Sequence, residues 1–146
     1  IYAGNLYADI AAPRLWFNAS TGYGALGYGA PAAIGAALGA PQTPVLCLTG
    51  DGGLQFVLAE LGTAMDEATP VIFLVWNNNG YQEIERYMID NAVTPEGVTP
   101  SAPDFTQVAA AYGMPSERIL GLEGLNQALD RARASGTAYL IDMIVP

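Results

Sequence analysis

The sequence predicts an α/β fold, a doubly wound and mainly parallel sheet with helices on both faces. Three observations predict it. Short apolar runs alternate with helical patterns along the chain, as strand–helix–strand units do. Two runs, Val71 to Trp76 and Tyr139 to Val145, are almost continuously apolar, as strands covered on both faces are. The 146 residues are 51% hydrophobic and 13% charged, with 17 glycines, a composition that suits one domain with a buried sheet rather than a disordered or fibrous chain.

The elements follow in order. Pro31 to Leu38 is Ala-rich and helical, its proline tolerable in a first turn. Val45 to Thr49 is the first strand and leads into Gly50-Asp51-Gly52-Gly53. A helix over Phe56 to Met65 follows that turn. The strand Val71 to Trp76 then runs into Asn77-Asn78-Asn79-Gly80, and Tyr81 to Ile89 is helical. Ala92 to Pro103 carries Pro95, Pro100 and Pro103; it reads as a long loop, a frequent site of lids and binding segments. Asp104 to Tyr112 is a helix with Asp104 as N-cap and Gly113 as C-cap. Arg118 to Leu122 is a weak strand, Leu125 to Ala134 a helix stopped by Ser135-Gly136, and Tyr139 to Val145 the closing strand.

Charge and residue usage remove several function classes. The formal charge is −9, with five arginines and no lysine, so phosphate-neutralising contact with nucleic acid is not expected. There is no histidine, which removes Ser-His and Cys-His pairs and His-based zinc sites. The single Cys47 sits in an apolar strand and reads as a buried thiol. Without a possible internal disulfide the expectation is a reducing compartment, the cytoplasm. No apolar run approaches a membrane span, so no membrane partner is expected.

The chemistry concentrates at two strand ends. In Gly50-Asp51-Gly52-Gly53 the glycines let backbone approach a ligand closely, and the N–H groups opening a helix favour an anion. A carboxylate beside an anion makes sense with a cation between them. Asn78, 27 residues after Asp51, adds a neutral side-chain oxygen from the next strand end, and the carbonyl of Gly80 could add another. One carboxylate, one amide and one carbonyl, completed by two phosphate oxygens and a water, would fill the coordination of Mg²⁺. Each turn alone is a commonplace of tight turns and strand exits; their joint placement points to a Mg²⁺-diphosphate.

Gly50-Asp51-Gly52, that spacing and Asn77-Asn78 resemble the thiamin-diphosphate motif. Gly24-Ala25-Leu26-Gly27-Tyr28-Gly29-Ala30-Pro31-Ala32-Ala33-Ile34-Gly35 resembles the matching segment of the acetolactate synthase, benzoylformate decarboxylase and pyruvate decarboxylase group. The likeness runs from about Trp16 to Tyr87, and more loosely to the end. It implies the thiamin-diphosphate-binding fold, with residues 1–146 forming a single diphosphate-binding domain, a piece of a longer multidomain enzyme whose first strand lies before Ile1. It also implies roles. Asp51, Asn78 and the Gly80 carbonyl would hold Mg²⁺. Gly52, Gly53 and Tyr81 would offer N–H groups to the diphosphate, without the hydroxyl that relatives with Ser at position 53 have. The Gly24 carbonyl would accept from the aminopyrimidine, and Leu26 would lie under the cofactor and hold it bent.

The family's activating Glu belongs to a pyrimidine-binding domain, in the same or a second subunit, so this chain is expected to hold no catalytic residue and to work in a homodimer or homotetramer. Glu60 reads instead as a helix-face or interface acid. Pyruvate decarboxylases carry a catalytic Glu six residues after the metal-binding Asn; here that position is Ile84, flanked by Glu83 and Glu85. The departure points toward acetolactate-synthase-like 2-oxo acid decarboxylation or carboligation. Within that group the stretch resembles enzymes acting on a guanidino 2-oxo acid, with Glu83 and Ile84 on the substrate side. Two other readings stay open. Gly22, Gly24 and Gly27 match the dinucleotide fingerprint, but the acid it needs about 20 residues on is absent, Asp51 being too distant. A non-catalytic assembly domain could also keep the fold.

Overall fold

The computed structural model describes Gly4, residues 16–19 and residues 22–146. The expected first strand, and the start of the chain generally, lie outside the described residues. Four strands form one parallel sheet: β1 (Val45–Gly50), β2 (Val71–Asn77), β3 (Ser116–Leu120) and β4 (Tyr139–Ile144), in the spatial order β1-β2-β4-β3. The helices are α1 (Gly29–Gly39), α2 (Asp51–Gln55), α3 (Glu60–Asp66), α4 (Gln82–Asp90), α5 (Phe105–Ala111) and α6 (Leu125–Ser135).

Alternation along each strand divides the core into two layers. Val71, Phe73, Val75 and Leu140 face α1, α2, α3 and α5, meeting Ala33, Ile34, Leu54, Leu61 and Phe105. Ile72, Leu74, Ile141 and Met143 face the other way, onto Ala128 and Ala132 of α6. Helices therefore cover both faces, as predicted, but unequally. In α1 the buried residues Ala30, Ala33, Ile34 and Ala37 fall on one helical stripe, and the small size of its three alanines lets the helix settle close to β1.

Two expected boundaries shift. The helix expected over Phe56 to Met65 begins later, at Glu60, and a separate short helix precedes it. α2 starts at Asp51 itself, directly after β1, and the chain then passes through tight turns closed by Val57 N–H to Leu54 and Glu60 N–H to Val57 before α3. The preceding loop passes close to this bend: a Cβ at Gly27 would stand 3.0 Å from Val57 Cγ1 and 3.2 Å from Phe56 Cβ. β3 runs over Ser116–Leu120, not Arg118 to Leu122, because Gly121 turns away with φ +56. Its polar residues fit an outer strand, where alternate positions remain wet.

The parallel register sets Gly50 against Trp76 and Asn77 against Ile144. The carboxyl ends of β1, β2 and β4 thus finish level, side by side, which is where open α/β sheets take ligands.

Candidate active site

Asp51 is the first residue past β1 and is 2% exposed. Its Oδ2 accepts the Gly80 N–H at 2.9 Å, across the gap between the two strand ends. Burial pushes its carboxyl above the usual aspartate range, against the pull of backbone N–H groups including those of Gly52 and Gly80. Among the described residues no arginine pairs with it. A desolvated carboxylate without a countercharge is costly, and a cation would relieve that cost. No group of three carboxylates or thiols gathers among the described residues. A cation here would therefore rely on one carboxylate and neutral oxygens, the donor set of a Mg²⁺ shared with phosphate. The residues present fit such an ion.

The turn opposite is tightly held. Asn77 is buried and donates Nδ2 to Asp142 Oδ1 at 2.9 Å, while its Oδ1 accepts from the Asn79 N–H at 3.3 Å. Asn79 is left-handed with φ +59, and its own Oδ1 accepts from the Ala102 N–H. Asn78, between them, is half-buried, and its carbonyl accepts from Gln82 Nε2 at 3.0 Å. Gly80 is buried, and a Cβ there would stand 3.0 Å from the Val98 carbonyl oxygen. Asp51 and Gly80 are thus brought together at adjacent strand ends, with Asn78 two residues before Gly80 on the same turn.

The glycines of α2 differ from each other. A Cβ at Gly52 would overlap the Tyr81 ring, whereas one at Gly53 would meet only Thr49 Oγ1 at 3.5 Å and Leu26 Cδ2 at 4.0 Å. Leu26 therefore leans over the start of α2, half exposed. Gly24 takes φ +64 and donates its N–H to Ala19. The Tyr81 N–H is already given to the Val98 carbonyl at 2.8 Å, so a diphosphate would have to compete for it. Glu83 and Ile84 stand exposed on α4, which buries no residue.

Three participants escape the motif reading: Asn77 as a structural amide, Asp142 and Arg118. Arg118 Nε donates to Asp142 Oδ2 at 2.9 Å and its Nη2 to Asp104 Oδ1 at 2.8 Å. The signal available was Asp142 itself, an acid inside the apolar run Leu140-Ile141-Asp142-Met143-Ile144; a charge in a strand covered on both faces demands a partner.

Comparison with known proteins agrees with this geometry. The family model described as "Thiamine pyrophosphate enzyme, C-terminal TPP binding domain" matches residues 2–143; thiamine pyrophosphate is another name for thiamin diphosphate. A probable 2-ketoarginine decarboxylase of Pseudomonas aeruginosa is 41% identical over 143 residues, covering 97% of this chain and 25% of that protein. The large subunit of acetolactate synthase isozyme 3 from Escherichia coli is 37% identical over 141 residues, covering 92% and 24%. Among solved structures, a thiamine diphosphate-dependent 4-hydroxybenzoylformate decarboxylase of Rhodococcus jostii superposes with a TM-score of 0.78 at 30% identity, over 84% of this chain and 23% of that one. The chain spans about a quarter of the length of the curated relatives it matches. With sequence, sheet and strand-end geometry in agreement, the protein belongs to the family of C-terminal thiamine-pyrophosphate-binding domains of thiamine pyrophosphate enzymes.

Proposed function

We propose that this chain is one domain of a longer enzyme that decarboxylates a 2-oxo acid, and that it anchors Mg²⁺ and the diphosphate of the cofactor. The observation that carries the reading is the buried, uncompensated Asp51 bonded to the Gly80 N–H. Asp51, Asn78 and the Gly80 carbonyl would hold the cation. Gly52 and Gly53 would turn N–H groups to the diphosphate, and Tyr81 would do so after exchanging its bond to Val98. Leu26 would support the cofactor from below and Gly24 would accept from its aminopyrimidine. Bound thiamin diphosphate would supply a thiazolium ring as the sink for the electron pair left behind when CO₂ departs. The rest of the site would come from a pyrimidine-binding domain of the same or a second subunit.

The substrate we infer is a 2-oxo acid with a guanidino tail. The 41% identity to a probable 2-ketoarginine decarboxylase supports it, as do Glu83 and Glu85 on the exposed first turn of α4, carboxylates that pair well with a guanidinium. Ile84 stands between them on the same helix.

The full-length protein tests this directly. With Mg²⁺ and thiamin diphosphate, CO₂ release should be greatest for a guanidino 2-oxo acid among a panel of 2-oxo acids. Asp51→Ala should lower activity at least as much as the roughly 100-fold seen when metal sites lose a supporting partner. Activity that needs no cofactor, or that survives Asp51→Ala, would sink the reading.

A further inference from the structure

Three consecutive asparagines have three different duties, and the first is governed from the neighbouring strand, β4. Asp142 is 0% exposed in β4. Its two oxygens each accept one bond at 2.9 Å, Oδ2 from Arg118 Nε and Oδ1 from Asn77 Nδ2. An ionised carboxylate can only accept. Asn77 must therefore turn its amide nitrogen toward Asp142, which aims its oxygen back at the turn, where it accepts the Asn79 N–H. The next N–H, of Gly80, reaches Asp51. The turn bearing Asn78 and Gly80 is thus tied on one side by Asp51 and on the other by Asp142.

We propose that Asp142, backed by Arg118, is a positioning residue for the cation site: it fixes the amide orientation of Asn77 and, through Asn77, the placement of Asn78 and Gly80. This deepens the function proposed above and rests on it. The chemistry makes a sharp demand. Both Arg118 and Asn77 present donors, so the group between them must accept twice. An asparagine at position 142 accepts once and donates once. The charged guanidinium would claim its oxygen, leaving an NH₂ against the Asn77 NH₂. Asn77 would then reverse its amide and set a donor against the Asn79 N–H, loosening the turn.

The test uses the full-length protein freed of cofactor, titrated calorimetrically with Mg²⁺-thiamin diphosphate, with thermal midpoints measured alongside. Asp142→Asn should weaken binding by about 10- to 100-fold, the range for groups that orient metal ligands. Combining Asp142→Asn with Arg118→Gln should recover most of that loss. The glutamine oxygen then accepts from the introduced amide, whose own oxygen is freed for Asn77. A merely structural role predicts loss and recovery in the thermal midpoint alone, with affinity unchanged. Wild-type affinity in Asp142→Asn, or a double variant no better than the single one, would overturn the proposal. If Asp142→Asn does not fold, Arg118→Met decides. Without the guanidinium nothing fixes Asp142 Oδ2, so the carboxylate is free to turn and its hold on the Asn77 amide loosens; binding should again weaken, and unchanged affinity overturns the proposal. A wild-type protein that binds no Mg²⁺-thiamin diphosphate would instead overturn the function proposed above, and this assignment with it.

Discussion

Adjacent glycines in α2 carry different constraints. Gly52 lies beneath the Tyr81 ring, with no room for a methyl group, whereas the surroundings of Gly53 would give a Cβ ordinary contacts. Gly52→Ala should therefore destabilise the full-length protein by about 1–3 kcal/mol through overpacking and displace Tyr81. Gly53→Ala should be neutral or stabilise by up to about 1 kcal/mol, because alanine restricts the unfolded chain at no steric cost. Thermal unfolding of the two variants should show midpoints separating in these directions. The same residue-scale view accounts for Cys47: desolvation pushes its thiol up to about 12, as expected of a buried strand cysteine with no redox or catalytic role. Asp51 and Asn78 were legible because two commonplace turns occur jointly, at the ends of successive strands. Asn77 was not, since three identical side chains in a row give no hint which one faces the sheet interior.

At the scale of elements, α5 shows how a short helix is held. Asp104 Oδ1 accepts the N–H groups of Thr106 and Gln107 and the Thr106 hydroxyl at 2.6 Å. The Thr106 hydroxyl bond is the chief cause holding the Asp104 carboxyl below the usual aspartate range, and Arg118 contributes to it. A carboxyl depressed in the folded state stabilises at pH above its unfolded value of 3.8, and that contribution is lost as pH falls through the lower folded value. Asp104→Ala should thus lower the thermal midpoint at pH 7, and the difference from wild type should shrink as pH falls below about 4. Capping was readable because an Asp N-cap and Gly C-caps are local signals; α5 and α6 accordingly start and stop within a residue of expectation. β3 and the late start of the helix after β1 were less legible. The first is set by where the chain leaves the outer strand at Gly121, the second by the turns that stand between α2 and α3.

Across the whole molecule, the class of fold followed from alternating patterns, but the strand order did not. Nothing in the spacing says that β4 lies between β2 and β3, yet that order brings Asp142 to Asn77 and Arg118. The fold-level setting of the site was therefore readable at β1 and β2 and hidden at β4. No helix among the described residues is long and apolar enough to cross a membrane. With 14 carboxylates against five arginines, this chain has a pI near 4.1. Its solubility should pass through a minimum there and rise toward neutral pH as repulsion returns, which turbidity across a pH series would check.

The bond between Asn77 and Asp142 spans 65 residues, while that between Asp51 and Gly80 spans 29. Contacts of long sequence separation are late and slow to form. During synthesis from the N-terminus, the Gly80 side of the turn can be secured once β1 and β2 have paired. The Asn77 side must wait until residue 142 has been made and β4 has docked. Until then a nascent chain displays the whole motif with its second tether still unmade.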